Sequence, residues 1–390
     1  LRSLFNLATE KEFVSISDSA PVPELVAVTL LTSDHSEVSA AEFADSKHTH
    51  AWRKTDDGIA LVLRWEQVAE PQERNVVDVE AIIRVSPEGM SHWSCRVKNR
   101  SRDLGLRYIK FPVIGPLHAG TDEDPTDYNG SGLANPTART GDGSLGRAYY
   151  GSRGGVYYHP QDSQWYEKRT GGRVDGATRT GTYEHSYIAV NSHGEQVKSF
   201  DPTYEVAVGV FEGDWYDVAR IYRRWAMNQP WCAKGTIAQR DDLPQWFKEL
   251  DFFDQGNAYT REHFDANLHL GRNYNHTHGY HGPIGIWMTH WMQHKFDNKY
   301  PDYFPALIGE EAFKQSVAKG HELGVYYMPY VNAFIYATNA PSFTEQARQN
   351  AAMTLDGRRR GGVIAYSEHY MPFVTMCPAT KFWQDKFSEI

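Results

Sequence analysis

Across the first 210 or so positions, apolar and polar residues alternate in short runs. The clearest are Ala60–Trp65 (ALVLRW), Val77–Val85 (VDVEAIIRV), Met90–Lys98 (MSHWSCRVK), Tyr108–Val113, Gly155–His159, Tyr183–Val190 and Tyr204–Phe211. Each is rich in β-branched and aromatic residues. Turn-forming stretches such as Pro87-Glu88-Gly89 and Asn99–Asp103 separate them. Alternation with period two places every second side chain on one face, which is the pattern of a half-buried strand. Many short strands with little helix between them predict an antiparallel β-sandwich over residues 1–211. The stretch Asp122–Arg147, rich in Gly, Asp, Asn, Pro and Thr, breaks the alternation and reads as a long loop.

The period then lengthens. In Trp215–Trp225 (WYDVARIYRRW), residues Trp215, Val218, Ala219, Tyr222 and Trp225 fall on one helical face. Pro230 and Pro244 frame a linker, so the domain boundary is expected within 212–244. From Leu250 the pattern changes again. Leu250–Phe253, Ile284–Met288, Gly324–Tyr330 and Phe373–Met376 read as short strands. Gly309–Leu323, Ser342–Met353 and Ala379–Ile390 read as helices, with Pro341-Ser342 and Pro378 at plausible starts. Strand, polar loop, helix, strand is the repeat of a parallel α/β fold. A complete (β/α)8 TIM-type barrel needs roughly 250 residues, so 245–390 is expected to hold its first half.

Composition narrows the functional classes. Forty Lys and Arg against 49 Asp and Glu give a net charge of −9, which argues against nucleic acid as a partner. Cys95, Cys232 and Cys377 form no paired motif, so neither a zinc nor a redox framework is expected, and no cofactor. No apolar run reaches the ~18 residues of a membrane span. The chain opens on Leu1 with no leader in view, and a secreted or periplasmic location is favoured. Oligomeric state is not legible. Eleven Trp, 23 Tyr and 18 Phe suit carbohydrate binding, because an aromatic face covers the C–H face of a sugar.

Several motifs carry little. Gly141-Asp142-Gly143-Ser144-Leu145-Gly146 matches G-x-G-x-x-G but has neither a strand before it nor a helix after it, so it is not read as a phosphate loop. His276, His278 and His281 lie in NYNHTHGYHG, which reads as a Gly/Asn surface loop rather than a metal site. No G-x-S-x-G or H-E-x-x-H is present. Asn99, Asn129 and Asn275 each head a glycosylation tripeptide, a pattern common by chance.

The strand ends carry more. Barrel residues at the C-terminal ends of strands line the active site. Here they include Asp254, Trp287, His290, Trp291, Tyr330 and Asn332, with Asp302 in the aromatic–acidic loop Asp297–Pro305. Aspartates accept paired hydrogen bonds from vicinal hydroxyls, tryptophan stacks on a pyranose, and histidine bonds a hydroxyl or a carboxylate. Glycoside hydrolysis uses two carboxylates, and 245–390 offers no convincing pair.

Four segments, WYDVARIYRRWAMNQPW, FDNKYPDYFP, GVYYMPYVN and MCPATKFWQDKF, resemble a bacterial glycoside-hydrolase-like family, a domain of unknown function labelled DUF6259. The likeness extends from Gly155 onward and is strongest in 284–390. The wider group pairs a β-sandwich with a (β/α)8 barrel and includes α-galactosidases and endo-α-N-acetylgalactosaminidases. The resemblance implies an N-terminal supersandwich, first barrel strands that bind the terminal sugar, and catalytic carboxylates beyond residue 390. The expected activity is hydrolysis of an α-linked glycan. The alternatives are a non-catalytic carbohydrate binder on a degenerate barrel, or a polysaccharide lyase with Tyr or His as base.

Overall fold

The computed structural model describes residues 3–7, 9–16, 24–40, 46–56, 58–68, 76–86, 89–118, 126–129, 146–175, 180–191, 195–279, 282–367 and 369–390. The chain divides into two compact units, Leu1–Ala233 and Lys234–Ile390.

The first unit is antiparallel throughout its described pairings. A nine-stranded sheet runs from Thr126–Asn129 through Arg147–Gly151, Gly154–Pro160, Val206–Phe211, Ser91–Asn99, Val77–Val85 and Gly58–Val68 to Lys47–Thr55, with Ser199–Phe200 beside Ser91–Asn99. A five-stranded sheet orders Lys168–Asp175, Thr180–Ile188, Gly105–His118, Ala27–Leu31 and Glu37–Ala40. One core takes side chains from both: Val79, Cys95, Val97 and Val208 from the first, Leu30, Ile109, Phe111 and Tyr183 from the second. The alternation in Val77–Val85 is real, with Val77, Val79, Ala81 and Ile83 inside. All seven runs read from sequence lie in or overlap strands. Within the expected long loop, Thr126–Asn129 forms a strand against Arg147–Gly151; residues 130–145, and with them most of the glycine motif, lie outside the described residues.

Helix Trp215–Ala226 starts at Asp214, which caps the Tyr216 amide while Asp217 caps that of Asp214. Val218 packs with Ala148, Tyr157 and Phe211, and Tyr222 and Trp225 meet His159. Trp215, expected on the apolar face, is instead 52% exposed at the first turn, with its ring against Tyr216.

In the second unit, three strands, Phe252–Asn257, Ile284–Thr289 and Val325–Pro329, form a parallel sheet in sequential order. Helices Arg261–His278 and Glu310–Glu322 connect them. Parallel neighbours need such crossovers. Leu268 of the first helix packs on Ile284, Ile286 and Val325 of the strands. The first helix was not read from sequence: its segment REHFDANLHLGRNYNHTH is mostly polar. It also corrects the histidine reading, since His276 and His278 lie on the helix rather than in a loop; their side chains, and His281 entirely, are outside the described residues.

A second correction concerns the fourth strand. Tyr370–Thr375 does not extend the parallel sheet but pairs antiparallel with Ile335–Ala337 and Gly361–Ala365 in a separate sheet. Strands Gly361–Ala365 and Tyr370–Thr375 follow one another too closely in sequence for a crossover. The helix expected over Ser342–Met353 shortens to Glu345–Gln349, and the last runs Lys381–Ser388.

Candidate functional site

Register decides which side chains share a face. Asp254 stands opposite Ile286, Gln255 opposite Trp287, and Asn257 opposite Thr289; Trp287 in turn faces Met328. A Cβ on Gly256 would meet Asn267 of the first helix and Ile286. The face of Gly256 is therefore the helix side, and Asp254, two residues earlier, shares it. Trp287 lies on the opposite face with Gly285, whose Cβ would meet Phe253 and Met328. The strand reaches Asn257, so Asn257 rather than Asp254 holds its C-terminal end.

From Trp287 within the second strand to the loops beyond these ends, the rings form a continuous wall. Tyr259 lies 4.0 Å from His290 between centroids, His290 5.3 Å from Phe296, Phe296 5.1 Å from Tyr330, and Tyr330 5.6 Å from Trp287. Trp287, His290 and Tyr330 are all half-buried, so each offers surface. Trp291 does not. It is 3% exposed, stacks on Tyr303, lies tilted against Phe313, and donates its indole N–H to the Tyr330 carbonyl at 2.9 Å. It is a core residue that fixes the backbone beside the wall.

The loop after the second strand is bent into an uncommon path. His290, Lys295, Asp297 and Lys299 have φ of 61°, 68°, 49° and 54°. Non-glycine residues rarely adopt this left-handed region, and such residues gather where a surrounding structure enforces them. Tyr300 is part of the enforcement: the Asp297 amide donates to its hydroxyl at 2.7 Å, and that hydroxyl donates to Asp297 Oδ1 at 3.1 Å. Tyr366 Oη donates to Asp297 Oδ2 at 2.7 Å, and His369 Nε2 lies 3.0 Å from the Asp297 carbonyl. Asp297 thus ties the loop to the hairpin formed by Gly361–Ala365 and Tyr370–Thr375.

The other polar candidates are also committed. Asp302 accepts from the Ser342 amide at 3.1 Å and from the Ser342 hydroxyl, one hydrogen bond on each carboxylate oxygen. Asn332 Oδ1 accepts from the Phe334 and Ile335 amides at 2.9 and 3.1 Å, a side-chain-mimicked turn, while its Nδ2 donates to Tyr330 Oη at 3.0 Å. The structure therefore brings together Trp287, His290 and Tyr330, with Asn332 behind Tyr330. It buries Trp291, sets Asp254 on the helix face of the sheet and holds Asp302 on Ser342.

Burial pushes the Tyr300 and Tyr303 phenols far above their usual range. Tyr330 is raised by burial, against the hydrogen bond from Asn332. Tyr366 is raised chiefly because its hydroxyl serves the Asp297 carboxylate. All four remain protonated at neutral pH, so in the resting protein they are hydroxyl donors and acceptors. Among the described residues, no three His, Cys, Asp or Glu side chains gather to hold a metal ion, and no helix is long and apolar enough to cross a membrane.

Sequence reading missed Asn257, Tyr259 and Phe296. Asn257 was legible in FFDQGN, but the strand was ended too early; Tyr259 and Phe296 lie in loops whose course no periodicity reveals.

The fold is that of glycosidases of known structure. It matches an α-N-acetylgalactosaminidase from Bifidobacterium bifidum in complex with GalNAc at TM-score 0.63 and 15% identity, over 99% of this chain and 66% of that one. A quadruple mutant of the same enzyme matches at TM-score 0.65 and 16% identity, again over 99% and 66%. More particularly, residues 200–390 match the family described as Domain of unknown function (DUF6259), which bears out the resemblance read from sequence over that segment. A Bacteroides thetaiotaomicron VPI-5482 protein named "Putative glycoside hydrolase" is 30% identical over 195 residues, 49% of this chain and 26% of that protein. The chain thus spans about a quarter of that curated relative.

Proposed function

We propose that this chain supplies the sugar-binding part of a bacterial glycoside hydrolase that acts on an α-linked glycan. The observation that carries the reading is the wall of Tyr259, His290, Phe296, Tyr330 and Trp287 at the C-terminal ends of parallel strands. A pyranose presents an apolar C–H face to such rings and a rim of hydroxyls to His290 and Tyr330. The name of the Bacteroides relative and the names of the structural neighbours support the same class. The strand–helix–strand–helix–strand order of the second unit fits the opening of a (β/α)8 barrel, and the two sheets of the first unit fit a supersandwich.

Trp287 is assigned the stacking role, and His290 and Tyr330 the hydroxyl contacts. Asn332 orients the Tyr330 hydroxyl. Asp297 and Asp302 are held by the protein's own groups, so the carboxylate pair that breaks the bond is assigned to another part of the protein. The committed carboxylates favour one second reading, a carbohydrate binder without turnover. Reducing-end release from α-linked oligosaccharides by the complete protein decides between them: release that falls with Trp287→Ala supports the hydrolase, and binding without release supports the binder.

A further inference from the structure

The sheet face that carries Trp287 holds a polar group that the wall does not use. In the register of the first two parallel strands, Phe253 stands opposite Gly285 and Gln255 opposite Trp287. A Cβ on Gly285 would meet the Phe253 ring and the end of the Met328 side chain. Phe253 therefore shares the face of Gly285 and Trp287, and Gln255, two residues further along its strand, shares it too. Neighbouring strands lie about 4.8 Å apart, so the Gln255 side chain starts directly beside Trp287. On the other flank, Tyr330 meets the Trp287 ring edge to face at 5.6 Å, and its amide donates to the Met288 carbonyl at 3.0 Å.

Gln255 is exposed. Its backbone N–H is taken by Asp254 Oδ1 at 2.8 Å, but its carboxamide makes no hydrogen bond among the described residues. The surface around it is apolar: Phe253 is 53% exposed, and Trp287 and Met328 are half-buried. A carboxamide presents an acceptor oxygen and a donor nitrogen side by side. Two hydroxyls on adjacent pyranose carbons match that pair unless both are axial, one donating to the oxygen and the other accepting from the nitrogen. A sugar whose C–H face covers Trp287 turns its rim toward the flanking strands, with Tyr330 on one side and Gln255 on the other.

We propose that Gln255 is a specificity-determining residue of this site, which reads two vicinal hydroxyls of the stacked sugar through its carboxamide. The assignment rests on the sugar-binding reading of the wall. It divides the work: Trp287 holds any pyranose by its apolar face, and Gln255 selects among pyranoses by their hydroxyl pattern.

The test is NMR titration of this chain with methyl α-glucoside, methyl α-galactoside and methyl α-mannoside, followed by the monodeoxy analogues of the glycoside that binds. In Gln255→Leu, which keeps the bulk and removes both polar atoms, the parent glycoside binds roughly tenfold more weakly, the scale of one or two neutral hydrogen bonds. The penalty for deleting either of two adjacent hydroxyls, present in the unaltered protein, disappears in the variant, and the penalties at the other positions stay. The melting temperature is unchanged, because the carboxamide serves no other group. A parent affinity unchanged in Gln255→Leu, or a weaker affinity with every deoxy penalty left as before, overturns the proposal and leaves the sugar site standing. If none of the glycosides binds the unaltered protein, the sugar-site reading fails and this contact falls with it.

Discussion

Two tryptophans four residues apart have opposite roles here, and truncating each in turn separates them. Trp291 is 3% exposed, and its indole N–H serves the Tyr330 carbonyl at 2.9 Å. Removing a fully buried Trp side chain costs about 3–5 kcal/mol through lost burial and the cavity left behind. The orphaned carbonyl adds about 1 kcal/mol. A change of this size lowers the melting temperature of a unit this large by roughly 10 °C or more. Trp287 is half-buried, and its ring meets Tyr330 edge to face at 5.6 Å. Its truncation is expected to cost only about 1 kcal/mol of stability but to weaken sugar binding at least tenfold, the loss of ~1.4 kcal/mol of contact. Differential scanning calorimetry and titration with methyl α-glycosides on the two variants give both readouts. If Trp287→Ala proved the more destabilising, or if folded Trp291→Phe lost binding while Trp287→Ala kept it, the division of roles would be wrong.

Asp302→Ala is expected to cost about 1.5–3 kcal/mol of stability, and a double-mutant cycle with Ser342→Ala should show the two changes strongly non-additive, with sugar affinity unchanged in the folded protein. Asp297→Asn weakens the carboxylate tie to Tyr366 and leaves the backbone contact to His369, so amide exchange should speed up in the strands Gly361–Ala365 and Tyr370–Thr375 before it changes elsewhere. The first unit should be acid-labile. Burial lowers His159 to about 3, with His92 adding to the effect, and lowers His185 to about 3, with Lys168 adding. Both are neutral when folded and protonated when unfolded, so their contribution to stability is lost as pH falls from ~6.5 toward ~3, by about 2 kcal/mol each at pH 5. Urea unfolding against pH should lose the slope of one proton in His185→Gln, and an unchanged slope would contradict the burial argument.

The sheets were legible where one face is buried and the other wet. Val77–Val85 alternates cleanly because the core takes every second residue. Lys47–Thr55 was not legible: as the last strand of the described sheet it is almost wholly exposed, and KHTHAWRKT carries no apolar alternation. The strand at Phe373–Met376 was seen but its direction was not, because pairing partners are a tertiary property and the same apolar run serves either orientation. At the site, Trp287, His290 and Tyr330 could be chosen from their place at strand ends. Trp291 could not be told from Trp287, since whether a ring covers a sugar or a core depends on Tyr303 and Phe313 closing over it. Asp302 and Asn332 looked available because sequence shows a side chain's capacity for hydrogen bonds and not the backbone amides of residues 334, 335 and 342 that use it.

The central claim is that the aromatic wall at the parallel strand ends binds a sugar ring. Saturation-transfer NMR of a panel of methyl α-glycosides against this chain tests it most directly, with Trp287→Ala and the first-unit variant Trp165→Ala measured alongside. The account predicts transfer to the ring C–H protons of at least one glycoside, lost in Trp287→Ala and kept in Trp165→Ala. No transfer from any member of the panel, or transfer that survives Trp287→Ala unchanged, would contradict it.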